Sequence, residues 1–182
     1  MSNVPLLEAD RAIPEVVSIY QAFQTGMGFP APPDFIKVLG HSYAAAAGTL
    51  EIVKHVLLQG VLPRTVKEML FVAVSHARGC KYCEAAHLAC CRSLGIDEST
   101  LNLLVSNVSD IMPVKTRRLL EFGVRCAMNP QALTEADYET LRGQGFSQAE
   151  LVETVSMAGL AVYLNTMAEA LKVPPDKMFE KA

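Results

Sequence analysis

The sequence predicts an all-α fold. Ser147-Gln148-Ala149-Glu150 is a full capping box, and Thr134-Glu135-Ala136-Asp137 is a second with Asp in the acidic position. Prolines and glycines cut the apolar runs into helix-length pieces, and no run alternates with the period of two that marks a half-buried strand. The 182 residues suffice for one domain with a real core. The chain is read as a single unit over 1–182, with its chemistry concentrated in 63–96.

In chain order, Pro14 to Thr25 is expected to be helical, with Val16, Val17, Ile19, Tyr20 and Phe23 as its apolar positions. Phe29-Pro30-Ala31-Pro32-Pro33 is a stiff connector. A short helix should follow from Asp34, and an Ala-rich one from Ser42 to about Gln59. Pro63 suits a helix start, where its missing N–H costs nothing. The helix it opens, to about Arg78, is apolar nearly all round and is expected in the core. Gly79 ends it. The next helix carries the cysteines to about Leu94 and is closed by Gly95. Shorter helices are expected over Glu98–Val105 and Pro113–Met128, then a long one from Ser147 to about Val173.

Composition narrows the function classes. Net charge is −3 and 51% of residues are hydrophobic, which fits a soluble globular chain. No basic stripe points to nucleic acid. No apolar run is read as approaching the roughly 18–20 residues of a membrane span. The N-terminus lacks a basic region followed by an apolar one, so no signal peptide is expected. Five cysteines, four of them within residues 80–91, do not form a secreted disulfide framework. A reducing cytoplasm fits. The mean hydropathy of +0.24 and the eight Met exceed what one small core needs, so a homo-oligomer is expected.

The residues that carry chemistry are Glu68, Cys80-Lys81-Tyr82-Cys83 and His87. On one helix, Cys80, Cys83 and His87 would fall at i, i+3 and i+7 of one face. Cysteines three apart on a helix have Cα atoms about 5 Å apart, within disulfide range. The helix N-terminus after Gly79 favours a thiolate. If the helices before and after Gly79 fold back antiparallel, Glu68 and His87 rise about 16 and 12 Å from the turn and can face each other. A buried carboxylate would orient the imidazole, which could take a proton from Cys83 directly or through water. The expected relay is Glu68, His87 and Cys83, with Cys80 as the resolving thiol.

Other readings of these residues stay open. Cys80, Cys83 and His87 could bind zinc, with Cys90, Cys91 or Glu68 as the fourth ligand, although one helix does not easily close a tetrahedron. The scaffold could serve as a thiol-exchange protein or as a redox-sensing interaction module. Cys90, Cys91 and Cys126 are expected to pack in the core. His41, His55 and His76 have no evident partners, though His76 and Arg78 could add positive potential beside the cysteines.

The pattern Glu68–x11–Cys80–x2–Cys83–x3–His87 resembles that of AhpD-like alkylhydroperoxidases of the carboxymuconolactone decarboxylase superfamily. Val4-Pro5-Leu6, Gly28-Phe29-Pro30 and the run Leu164 to Leu171 resemble its peroxidase-related branch. The resemblance implies an all-helical fold in which an antiparallel helix pair carries the CxxC. It also implies trimers or hexamers, and a thiol peroxidase without haem, flavin or metal. It makes Cys83 peroxidatic and Cys80 resolving, with Glu68 and His87 as the proton relay. The substrate would be a hydroperoxide, and the reductant a lipoyl-type or thioredoxin-like dithiol. The best-known branch has a second His between the cysteines, where this chain has Tyr82. The lactone decarboxylase branch lacks the paired cysteines.

Overall fold

Helical apolar spacing builds the first element, α1 (Pro14–Met27), which buries Val16, Ile19, Tyr20, Phe23 and Met27 along one stripe. Gly28 ends it in the left-handed region at φ 75°. This computed structural model describes residues 2–180, and no strand occurs among them. The short α2 (Asp34–Leu39) buries Phe35, Ile36, Val38 and Leu39. α3 (Tyr43–Ile52) starts at Ser42, whose side chain accepts the Ala45 N–H. The Ala-rich helix does not run on unchanged to Gln59: from Val53 to Leu57 it widens into a π-helical turn.

A buried lysine explains how this widened turn is held. Lys67 is 1% exposed. Its Nζ donates to Val56 O at 2.8 Å, to Gln59 O and to the Glu153 carboxylate. Glu153 in turn accepts the Val61 and Leu62 N–H groups, each at 2.8 Å. Burial alone would raise the Glu153 pKa, but Lys67 and the two amides hold it below the usual carboxylate value. The pair satisfies polar groups that a helix end and loop would otherwise bury unpaired.

α4 (Arg64–Arg78) follows, with Pro63 just outside its first turn. Every residue from Lys67 to Ser75 is buried, so this helix is the central post of the fold, as its apolar sequence predicts. Full burial of a side chain such as Leu70 or Phe71 contributes roughly 1.5–3 kcal/mol. Gly79, at φ 74°, turns the chain into α5 (Lys81–Ser93), which packs back along α4. α6 (Glu98–Leu104) is capped by Asp97, and α7 (Val114–Met128) lies against α4. There Gly123 is needed for close approach, because a Cβ would enter the Leu70 side chain.

α8 (Glu135–Gly143) and α9 (Gln148–Leu171) both begin with the capping boxes read from the sequence. α9 ends two residues before the expected Val173, with Lys172 rather than a glycine in the left-handed region. One expectation needs correcting: by length and composition α9 is apolar enough to cross a membrane, with a mean hydropathy of 1.2. Half of that stretch is buried inside the fold against α4, α5 and α7, so its apolar character serves the core. A main hydrophobic cluster joins α1–α6 and α9, and a smaller one joins α7, α8 and the start of α9.

Candidate active site

α4 and α5 bring Glu68 and His87 into contact. Glu68 Oε2 lies 2.5 Å from His87 Nδ1, and Glu68 is fully buried. A buried carboxylate needs compensation. Its second oxygen accepts from Arg64, one helical turn earlier, also at 2.5 Å. Burial would raise the Glu68 pKa, but His87 and then Arg64 outweigh it and hold the group below its usual value. Phe71, also on α4, stacks on the imidazole with centroids 3.6 Å apart and planes 14° from parallel. Nδ1 is engaged and the ring is clamped, which leaves Nε2 as the nitrogen free for a proton.

The cysteines are placed differently from the expected single helix face. Cys80 is the N-cap of α5, in extended backbone at φ −80° and ψ 96°, and the helix starts at Lys81. The Cys80 N–H donates to Ser75 O at 2.9 Å, which completes the end of α4. Cys83 sits in the first turn of α5, and both thiols are free. They lie within hydrogen-bonding reach of each other. The proximity of the two thiols lowers the Cys80 pKa and raises that of Cys83, and burial pushes Cys83 higher still. Of the two thiols, Cys80 is the more easily ionised. The Asn165 side chain on α9 donates to the buried Ser75 Oγ at 3.0 Å, beside the turn that carries Cys80.

Cys83 and His87 open into one small pocket of about 30 Å³, walled by Phe23, Met27, Phe29, Phe35, Tyr82 and Leu164. That is room for about two water molecules. Cys80 is fully buried and does not line it. The candidate zinc set is not assembled. Glu68, His87 and Cys90 have ligand atoms within 4.8 Å of one another, but the CxxC is not among them. In that trio Glu68 is already paired with the Arg64 cation, and burial pushes the Cys90 thiol far up.

The other cysteines and histidines are accounted for by packing and surface contacts. Cys91 and Cys126 are buried, with their thiols raised chiefly by burial, Cys126 to about 11. His76 pairs with Glu84 at 2.9 Å, His55 meets Gln59 and Glu51, and His41 contacts Pro5 O.

Sequence reasoning missed three contributors. Arg64 stands four residues before Glu68, a helix spacing that announces an ion pair. Asn165 is a polar residue inside an apolar run. Tyr82 donates to Asp176 Oδ2 at 2.8 Å, and Asp176 also accepts the Asp34 N–H at 3.0 Å. The Tyr82 ring meets Phe179 edge-on at 5.8 Å, and Phe179 packs on the pocket residue Phe29. Tyr82 thus ties the C-terminal segment over the pocket. Tyr82→Phe should cost about 1–2 kcal/mol locally. Amide exchange of residues 173–180 should rise while that of α4 stays unchanged; unchanged exchange in both would show that the bond holds nothing.

The sequence signature of the carboxymuconolactone decarboxylase family matches residues 43–113, the stretch that holds Glu68, Cys80, Cys83 and His87. Among solved structures, the chain superposes on an AhpD-core, peroxidase-related protein from Ralstonia eutropha JMP134 with TM-score 0.89 and 24% identity, covering 98% of this chain and 94% of that one. Residues 43–113 thus resemble the carboxymuconolactone decarboxylase family, and the chain as a whole has the fold of that AhpD-core protein.

A second neighbour is a peroxidase-related protein from Silicibacter sp. TM1040, with TM-score 0.85, 23% identity and 97% and 92% of the two chains covered. The debrominase Bmp8, solved with 2,3,4-tribromopyrrole, shares the fold at TM-score 0.83 and 17% identity, with 98% and 94% covered. No curated protein matches the sequence.

Proposed function

We propose that this AhpD-like chain is a thiol-dependent hydroperoxide reductase. The observation that carries the reading is the coincidence, at one small apolar pocket, of a Cys83 thiol paired to Cys80 and an imidazole clamped by Glu68. A peroxide group is small enough for the pocket, and only Cys83 of the two thiols reaches it. His87 Nε2 accepts the Cys83 proton, and the Cys83 thiolate attacks one peroxide oxygen. The O–O bond breaks, and the departing alkoxide takes that proton from His87 Nε2, leaving as an alcohol. Cys83 becomes a sulfenic acid. The Cys80 sulfur then attacks it; the disulfide forms, and the Cys80 proton leaves with the hydroxyl as water. A dithiol reductant restores both thiols by exchange.

In this reading Glu68 is a positioning residue and His87 handles the proton. The whole of 1–182 acts as one AhpD-like domain in a reducing compartment such as the cytoplasm. The test is peroxide consumption with two donors, a lipoyl-type dithiol and a thioredoxin-like protein. Turnover with either one that is lost in Cys83→Ser supports the proposal, and no turnover with any thiol donor contradicts it. Thiol exchange with a protein disulfide is the less favoured alternative, because Cys80 is buried and the pocket is narrow.

The four aromatic side chains around Cys83 favour one second reading, reductive dehalogenation of a halogenated aromatic, which requires the pocket to widen around the ring. The Cys83 thiolate would take the halogen, the ring carbon would gain a proton, and Cys80 would displace halide to form the same disulfide. Halide release from a bromopyrrole without peroxide turnover would select this reading.

Assembly into a trimer or hexamer belongs to the same proposal. Val152, Val155 and Tyr163 are exposed on α9, and Val61 is exposed beside its start. Light scattering at micromolar concentration should give a multiple of 19.7 kDa, and Val155→Lys should lower it. A wild-type monomer would refute the assembly.

A further inference from the structure

Room for about two water molecules does not hold the organic part of a large hydroperoxide, so the walls of the pocket decide what reaches Cys83. Two walls come from distant parts of the chain. Phe29, Pro33 and Phe35 form one, on the connector and the start of α2. Tyr82, in the first turn of α5, forms the other. The segment after α9 joins them. Asp176 Oδ2 accepts the Tyr82 O–H at 2.8 Å. Asp176 Oδ1 accepts the N–H of Asp34, the residue between Pro33 and Phe35, at 3.0 Å. One carboxylate therefore pins both walls. The Tyr82 oxygen also accepts the Phe35 N–H at 3.3 Å. The Phe179 ring lies 5.2 Å from that of Phe29 and 5.8 Å from that of Tyr82. The only helical turn in this segment is Lys177–Phe179, so it meets the walls through Asp176 and Phe179 and not through a packed helix.

We propose that Asp176 is a specificity-determining residue, a latch that holds the two walls together so that small hydroperoxides reach Cys83 and bulky ones are kept out. This rests on the reading of Cys83 as the thiol that meets peroxide. Asp176 touches no reacting atom; it acts through Tyr82 and the Asp34 amide. A carboxylate suits the task, because it accepts charge-assisted bonds from both walls at once. Asn at this position offers one oxygen and one amide nitrogen, and its N–H groups would face the Asp34 N–H. It keeps the Tyr82 wall and releases the other. Ala releases both. The Phe35–Tyr82 bond and the Phe179 ring contacts survive in either variant, so the pocket is loosened and not dismantled.

Two size comparisons on the full chain test the latch. The first uses no peroxide. In a Cys80→Ser background, Cys83 is alkylated with iodoacetamide or with the bulkier N-phenylmaleimide, and the labelled peptides are quantified by mass. The second compares kcat/KM for cumene hydroperoxide and for hydrogen peroxide with both cysteines present. Asp176→Ala should raise the large-to-small ratio about tenfold in each comparison. Asp176→Asn should fall between Ala and the wild type, and it carries the same comparison if the Ala variant unfolds. Loss of the Asp176 charge alone would change thiol reactivity toward both reagents together and leave the ratio fixed. Labelling of Cys126, buried in the second hydrophobic cluster, should keep its wild-type rate.

An unmoved labelling ratio would overturn the latch, whatever the peroxide rates do. Labelling of Cys83 and Cys126 that rises together would overturn it too, because the whole fold would then have loosened. A labelling ratio that rises while no variant turns over either peroxide would keep the latch and overturn the peroxide reading. Turnover of both peroxides with an unchanged ratio in Asp176→Ala would keep that reading and overturn the latch.

Discussion

Glu68→Gln should both destabilise the protein and slow it. The substitution keeps the side-chain shape but leaves the Arg64 cation against a neutral amide and removes the carboxylate that orients His87. Breaking a buried pair from one side costs about 3–5 kcal/mol. Arg64 is a quarter exposed, so the lower end, about 3 kcal/mol, applies here. For a chain of this length that is a fall in melting temperature of roughly 6–12 °C. Peroxide turnover measured well below the melt should drop about 100-fold, the low end of what a positioned acid–base group contributes. A variant with native turnover would show that the carboxylate only holds the helices together.

The same carboxylate predicts an acid limb. Glu68 and Glu153 both titrate below their usual values in the fold. A depressed carboxyl contributes stability that is complete above its unfolded pKa and is lost as pH falls through its folded one. Urea melts should therefore be insensitive to these groups from neutral pH down to about 4.3 and weaken below it. Glu68→Gln should show a shallower acid decline than the wild type. Equal slopes would remove Glu68 from the cause.

The second large effect separates the cysteines. Cys83→Ser should abolish reaction with peroxide, because Cys80 does not reach the pocket. Cys80→Ser should still consume one equivalent of peroxide and then stop, with one oxygen added at Cys83 and no disulfide. Rapid multiple turnover by Cys80→Ser would exclude a resolving role.

Much of this arrangement is written locally in the sequence. The capping boxes at Thr134 and Ser147 and the glycine at 79 depend on neighbours within a turn, and those helix ends fall where the residues say, whereas α1 runs to Met27, two residues past the expected Thr25. The Glu68–His87 pairing was legible because two helices joined at Gly79 leave few heights at which they can meet. Cys80 fell outside its expected helix for a subtle reason: one backbone ψ angle decides whether a residue caps a helix or begins it.

Contacts between distant residues were not legible. Tyr82 finds Asp176 94 residues away, and Asn165 finds Ser75 90 residues away. No local pattern marks either pair. The π-helical turn after Ile52 depends on a lysine and a glutamate from two other helices.

The most direct test of the account is to treat the reduced wild-type protein with one equivalent of an organic hydroperoxide and map the product by intact mass and peptide analysis. The account predicts loss of two thiols and a single disulfide joining Cys80 to Cys83. Retention of all five thiols, or a disulfide that involves Cys90, Cys91 or Cys126 instead, would contradict it.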